Sequence, residues 1–333
     1  MLLRLAFSLS LLPNVLLFSF LFGEVTTQQQ SAIWPDSITV SDQAPRPSYG
    51  SSRRRDRARQ PGLDRAKIMS HVQAIVAFGP HPPGSDAQKK VGDYLITQLK
   101  SYGLKVQTQE FQPLTPIGPL QMRNIWGVLP GTSGKAIILA SHYDSKYFED
   151  FRFVGANDGA SSCAVVLELA RVLSQDNPTN HEIWFVFFDG EESIREWTDF
   201  DSLYGSREFV KMLNSQQLLR SVGALILLDL VGEKDLMFRR DTNSTRWLVD
   251  IIWTTASRLG YGDKFPQAGT ISAIDDHIPF AQQGVPVIDI IDLDYAYWHT
   301  PQDTLDKLSA ENMRIVGEVV LKALPEIGRV LSK

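Results

Sequence analysis

The sequence predicts an α/β fold, in which one globular domain over residues 63–333 holds a mixed, mostly parallel and twisted central sheet flanked by helices. Two observations predict it. Apolar runs alternate with helical patterns from residue 61 onward, which is typical of a sheet with helices on both faces. The runs are short and rich in β-branched and aromatic residues, as buried strands are. The composition, 43% hydrophobic and 21% charged residues, is ordinary for a soluble globular protein.

Three helices and four strands follow from these patterns in chain order. Helices are expected over residues 86–102, which Gly103 ends, over 159–174 and over 309–332, where Pro325 should kink or end the helix. The strands are the apolar runs KAIILAS, IWFVFF, ALILL and VPVI, at residues 135–141, 183–188, 224–228 and 285–288. Strands that alternate with helices favour parallel pairing in the sheet.

The N-terminal region differs in composition from the rest of the chain. Arg4 is followed by an uncharged apolar run at residues 5–22, which predicts a signal peptide over 1–23 and a secreted or periplasmic protein. An uncleaved single-pass membrane anchor is the alternative, because about 18 apolar residues just span a bilayer. Contact with a membrane is expected only if this run is retained. Residues 24–62, rich in Ser, Pro and Arg, predict a flexible linker.

Charge and cysteine content exclude two classes of interaction. The formal net charge is −5, although the linker carries a cluster of arginines, so the domain itself is acidic and a nucleic-acid partner is not expected. Cys163 is the single cysteine, which excludes an intrachain disulfide. It lies on an apolar helix face, where a buried structural thiol is expected rather than a nucleophile.

Acids and histidines follow each predicted strand. They are His142 and Asp144, then Asp189, Glu191 and Glu192, then Asp229, and finally Asp289 with Trp298 and His299 further on. Two loops add Asp158, and Asp275 with Asp276 and His277. In an open α/β sheet, ligands bind beyond the carboxyl ends of the strands. Parallel neighbours therefore bring these groups together at one edge of the sheet.

Each residue alone has an ordinary structural interpretation. Asp158 is suited to cap the helix that follows it, His142 to a satisfied position in the core, and Asp229 to a strand end that faces water. The remaining histidines, His71, His81 and His181, are interpreted as structural. The recurrence at four strand ends is what indicates a common site.

Metal binding explains this recurrence. Asp, Glu and His supply the oxygen and nitrogen ligands of zinc, and catalytic zinc sites use three protein ligands with a fourth position open. Glu191 and Glu192 are adjacent carboxylates that repel each other. The pair is favourable if one binds a cation while the other acts as a general acid or base.

Five motifs in this order, SHYDS, NDGAS, DGEE, LLDLVG and WHT, resemble those of the zinc-dependent aminopeptidase clan, which has an α/β zinc exopeptidase fold. The resemblance covers about residues 65–333. The clan contains di-zinc aminopeptidases and the mono-zinc, animal-type glutaminyl cyclases. The stretches SHYDSKYF and DDHIPF favour the cyclases, as does the ten-residue separation, 193–202, between Glu192 and LYGS.

The resemblance implies a role for each site residue. One zinc ion per chain would be bound by Asp158, Glu192 and His299, with His142 near it but unligated. Glu191 would be the proton shuttle, in a hydrogen-bonded acid network with Asp229 and Asp275. Trp197 and Trp298 would form the walls of the substrate pocket, and Tyr295 would approximately replace a pocket phenylalanine.

The chain departs from the animal cyclases at two positions. Ser141 stands where those enzymes often carry a cysteine that pairs with the position of Cys163, and Asp289 stands where they carry a histidine. The resemblance still implies a monomeric enzyme that cyclises the N-terminal Gln (or Glu) of peptides and proteins to pyroglutamate, releasing ammonia from Gln.

Two other functions remain open from the sequence. A zinc aminopeptidase would use Glu191 to activate water, and His142 and Asp229 would help to hold a second zinc ion. A non-catalytic, anchored binding module would predict the loss of Glu191 or of a ligand, and all of these residues are present.

Overall fold

The computed structural model describes residues 62–175 and 180–333. The predicted signal peptide or anchor, and the linker up to residue 61, lie outside these ranges. Within them, no helix combines the length and the apolar character needed to cross a membrane.

The described residues form helices and strands in the predicted alternation. The helices are α1 (Arg65–Ala77), α2 (Asp86–Ser101), α3 (Ala160–Ser174), α4 (Tyr204–Ser215), α5 (Arg246–Arg258), α6 (His277–Ala281) and α7 (Ala310–Leu331). The strands are β1 (Lys105–Phe111), β2 (Leu114–Thr115), β3 (Gly118–Pro119), β4 (Met122–Leu129), β5 (Ala136–His142), β6 (Glu182–Phe188), β7 (Val222–Asp229), β8 (Arg240–Asp241), β9 (Thr270–Ile271) and β10 (Val287–Ile291). The three predicted helices and four predicted strands are among them.

The central sheet has six strands in the order β1-β4-β6-β5-β7-β10. β1, β4 and β6 pair antiparallel, whereas β6, β5, β7 and β10 pair parallel. The predicted mixed, mostly parallel sheet flanked by helices is therefore confirmed. The four parallel strands are those that the predicted site residues follow, so their carboxyl ends meet at one edge.

Side chains alternate along the central strands between two apolar layers. Phe185 and Phe187 of β6 belong to the apolar cluster that also contains residues of α1, α2, α3, α5 and α7, whereas Trp184, Val186 and Phe188 belong to the cluster that contains residues of α4 and α6. This period of two is the strand geometry that lets one sequence bury both faces. Helices on both faces leave the carboxyl edge of the sheet as the place where a cleft can form.

The structure corrects two expectations about single elements. Pro325 does not end the helix, because α7 continues through it to Leu331, although a proline removes one main-chain hydrogen bond. Leu324 and Ile327 are buried on either side of Pro325 and keep the last turns packed on the domain. Asp289 lies inside β10 rather than after it, because the apolar run extends to Ile291.

Candidate active site

A cleft of about 350 Å³ opens at the carboxyl edge of the parallel strands. Eight of the nine predicted site residues line it. The ninth, Tyr295, does not: it is buried beneath the cleft, packs with Leu230, Ala273 and Ile291, and donates its hydroxyl to Asp303 (2.8 Å). Tyr295 thus supports the wall of the cleft instead of forming it, which corrects the expected pocket role.

The three predicted zinc ligands lie together. His299 Nε2 is 2.9 Å from Glu192 Oε1 and 3.2 Å from Asp158 Oδ2, and one donor atom from each of the three residues lies within 4.8 Å of the others. Asp158 Oδ2 and Glu192 Oε2 are buried and accept no hydrogen bond within the described ranges. Two carboxylates and an imidazole with free buried oxygens fit a zinc ion with an open fourth position.

The charge state of Asp158 also suits a metal ligand. Burial alone would raise its pKa, but the close imidazole rings of His142 and His299 outweigh burial and hold the pKa below its usual range. The carboxylate is therefore ionised at neutral pH, as a metal ligand must be. Gly159 is the N-cap of helix α3, and no side chain caps this end of the helix. The alternative role of Asp158 as a helix cap is therefore excluded.

A second set of donor atoms shares Asp158. His142 Nε2 lies 3.3 Å from Asp158 Oδ1 and 3.2 Å from Asp229 Oδ1. Ser141 and Cys163 hold the strand here, since both donate to the His142 carbonyl oxygen (2.8 and 3.0 Å). The buried structural thiol predicted for Cys163 is confirmed. His142 is near the zinc ligands as expected, and the geometry would accommodate a second ion.

The three neighbouring acids in the turn after β6 have different surroundings. Asp189 faces the interior, where its carboxylate accepts from the Arg123 backbone N–H (2.7 Å) and the Tyr143 hydroxyl (3.2 Å). Glu191 and Glu192 donate their backbone N–H groups to the two oxygens of Asp144 (3.1 and 3.2 Å). Asp189 and Asp144 therefore anchor the turn, and the other two carboxylates are left to face the cleft.

Glu191 lies beside the ligands without belonging to their set. Burial raises its pKa well above the usual range, and Asp275 adds to the shift while His142 opposes it. Burial likewise raises the pKa of Asp275 to about 7, with Asp229 adding to it. A carboxyl group with a raised pKa is suited to both accept and return a proton.

The predicted hydrogen bonds within the acid network are not formed by the described residues. Glu191, Asp229 and Asp275 line one cleft, but the contacts between them are electrostatic, and Asp275 Oδ2 has no hydrogen-bond partner. Buried carboxylates repel unless they share a proton. The network is therefore an arrangement of coupled charges.

Phe148, Phe153 and Asp303 support the ligands, and none of them was predicted from the sequence. The backbone of His299 has φ +53°, and its ring stacks on Trp298 at 4.4 Å and meets the edges of Phe148 and Phe153 at 5.6 and 5.9 Å. Asp303 accepts the Asp158 backbone N–H at 3.2 Å. The one feature of the sequence that could have indicated Asp303 is its place four residues after the ligand His299.

The two tryptophans stand at the rim of the cleft. Trp197 is 42% exposed and Trp298 is 45% exposed. A core position would bury them, so the ordinary packing role of tryptophan does not apply. Their position is suited to walls that cover a substrate side chain.

The remaining acids and histidines lie in structural surroundings. Asp289 is buried 3.6 Å from His277 Nδ1, and burial with neighbouring carboxylates raises the pKa of Asp289 well above its usual range. His71 bonds to Tyr94 (2.6 Å), and burial lowers its pKa to about 4. The side chains of the other two, His81 and His181, bond to backbone carbonyls.

The sequence matches the profile of Peptidase family M28 over residues 124–324. The chain belongs to peptidase family M28.

The proteins that are similar to this M28 chain include glutaminyl cyclases. It is 33% identical over 279 residues to the glutaminyl-peptide cyclotransferase of Bos taurus, which covers 72% of the chain and 76% of that protein. It resembles the crystal structure of an Acidobacteriales bacterium glutaminyl cyclase with a TM-score of 0.78 and 34% identity, over 84% of the chain and 99% of that structure. It also resembles the crystal structure of a Zn-dependent exopeptidase from Parabacteroides distasonis, with a TM-score of 0.73 and 30% identity over 79% of the chain and 98% of that structure. The predicted resemblance to glutaminyl cyclases within the zinc exopeptidase clan is confirmed.

Proposed function

We propose that the chain is a glutaminyl-peptide cyclotransferase, which converts an N-terminal glutamine of peptides or proteins to pyroglutamate with release of ammonia. One zinc ion would be held by Asp158, Glu192 and His299. The observation that carries the proposal is the placement of these ligands beside Glu191 in one cleft, in a chain similar to glutaminyl cyclases over most of its length.

The reaction is an intramolecular acyl transfer. The α-amine nitrogen attacks the γ-amide carbon, a new C–N bond closes the five-membered ring, and the former amide nitrogen leaves as ammonia. Zinc, when bound, supplies a Lewis acid for the γ-carbonyl oxygen. Glu191 takes a proton from the α-amine and returns it to the departing nitrogen. Asp229 and Asp275 stabilise the protonated form of Glu191 through their charge.

The walls of the cleft assist by orientation. Leu230, Ile291 and Leu293 form an apolar surface for the methylene groups of glutamine, and Trp197 and Trp298 flank the opening. Both reacting groups, the α-amine and the γ-amide, belong to the same glutamine residue. Holding them close therefore removes much of the entropic cost of bringing them together.

The partners and location proposed here follow from the same assignment. Peptide and protein N-termini bearing Gln (or Glu) are the substrates, and the enzyme is a monomer. A signal peptide over 1–23 would place it outside the cell or in the periplasm, whereas retention of residues 5–22 would anchor it in a membrane as a single-pass protein.

An aminopeptidase is the second candidate function. It is favoured by the donor set of His142, Asp158 and Asp229, which shares Asp158 with the first set. The number of metal ions therefore separates the two candidates.

One tightly held zinc ion per chain is expected. Burial raises the pKa of Asp229, and burial together with the nearby Asp229 raises that of Asp275 to about 7. A carboxyl group that keeps its proton is a poor zinc ligand, and Asp229 Oδ1 already accepts the Leu230 backbone N–H (2.7 Å). Elemental analysis after dialysis, with anomalous scattering from a crystal, measures the count. Two fully occupied ions bridged by Asp158 would favour the aminopeptidase.

A further inference from the structure

In the described part of the chain, two cationic side chains line the cleft, and only one of them has a carboxylate within 4.0 Å. Lys146 Nζ donates to the Ser193 carbonyl oxygen (2.8 Å) and Oγ (2.6 Å) and lies 3.5 Å from Glu192 Oε2. Its charge is therefore committed to the ligand Glu192. Arg195 is exposed, and its guanidinium has no carboxylate within 4.0 Å in the ranges that the structure describes.

The backbone that carries Arg195 is held firmly although the loop is exposed. Asp201 is buried, and its carboxylate accepts the backbone N–H groups of Ile194 (2.8 Å), Arg195 (2.9 Å) and Glu196 (3.1 Å). The Tyr204 hydroxyl donates to the same carboxylate (2.8 Å). The free guanidinium therefore starts from a fixed position on the wall of the cleft, two residues before Trp197.

Arg195 and the acidic side chains occupy different parts of the cleft. The acids lie among the buried groups at its base, where the metal ligands and Glu191 are. Arg195 is on the exposed loop that forms the rim. A peptide whose N-terminal glutamine enters the base leaves through the rim, and Arg195 is the cation that this rim offers to its next residues.

We infer that Arg195 forms a subsite for an acidic side chain at the second or third residue of the substrate. The inference rests on the proposed function and adds a substrate class to it, namely Gln-peptides with an early Asp or Glu. An exposed charge pair supports a preference of about twofold to fivefold in kcat/KM over a neutral residue. The preference should decrease as salt screens the pair.

The test uses C-terminally amidated peptides that carry Glu, Ala or Lys at the second or third residue after an N-terminal Gln. The measured quantity is the ratio of kcat/KM between the acidic and neutral peptides. This ratio should fall to about one in Arg195→Gln and should invert in favour of Lys in Arg195→Glu. A ratio of one in the unmodified protein at both positions would overturn the inference, as would a ratio that Arg195→Gln does not change.

Arg329→Gln is the matched control, because it removes the same charge at the opposite end of the sheet. Its neighbour Gly328 accepts a hydrogen bond from His181 (2.8 Å), just before β6 begins. The ratio should be unchanged in this variant.

A binding measurement separates the subsite from the proposed reaction. Dissociation constants of the same peptides for Glu191→Gln need no turnover. If the unmodified protein cyclises no peptide, but Glu191→Gln still binds the acidic peptide more tightly and loses that preference when Arg195→Gln is added, the proposed function fails and the subsite stands. If peptides are cyclised with no charge preference in either measurement, only the subsite fails.

Discussion

Glu191→Gln should lower kcat by about 10²–10⁴-fold while the protein keeps its zinc. The substitution removes a proton carrier, and Glu191 does not belong to the set of Asp158, Glu192 and His299. Its backbone N–H bond to Asp144 is preserved, so the turn after β6 keeps its shape. Steady-state kinetics with a Gln-peptide and elemental analysis of the dialysed variant measure the two effects separately.

Glu192→Gln is the matched variant, because the same chemical change is made one residue away. An amide is a weaker ligand than a carboxylate, so this variant should lose zinc on dialysis and lose activity with it. Added zinc should then recover part of the activity in Glu192→Gln and none in Glu191→Gln. Identical behaviour of the two variants would show that the division of tasks between these carboxylates is wrong.

Removal of the metal should abolish turnover almost completely. A heterocyclic nitrogen chelator competes for zinc, and without the ion the cleft offers no Lewis acid for the γ-carbonyl oxygen. Zinc should restore activity. Magnesium should not, because it prefers six oxygen ligands in octahedral geometry over a site that contains an imidazole.

Circular dichroism provides the control for this experiment. The helices and the central sheet are built from two large apolar clusters, so the secondary structure should persist without metal. Loss of activity with an unchanged spectrum then reports on the site alone. Full activity of metal-free protein would contradict the zinc assignment.

The sequence predicted the position of the site well because parallel strands impose it. Asp229 ends β7, and Glu191 and Glu192 follow β6, so their meeting at one edge requires only the direction of the strands. The resemblance added the individual roles. His299 lies eight residues after the end of β10, and its role as a ligand was assigned through the WHT motif.

Other features depend on packing that sequence patterns do not show. Tyr295 lies near Trp298 in the chain, yet its hydroxyl is drawn to Asp303 beneath the cleft. The position of Arg195 depends on Asp201, whose carboxylate folds back on the loop from six residues away. Contacts of this kind are set by tertiary packing, which no local periodicity encodes.

The central claim is cyclisation of N-terminal glutamine, and the masses of the products test it most directly. Purified protein is incubated with a Gln-peptide and with the same peptide that begins with Ala, and both are analysed by mass spectrometry. The account predicts that the Gln-peptide loses the mass of one ammonia molecule and keeps all its residues, while the Ala-peptide is unchanged. Loss of the N-terminal residue from either peptide, with no product lighter by ammonia alone, would contradict the account and identify an aminopeptidase.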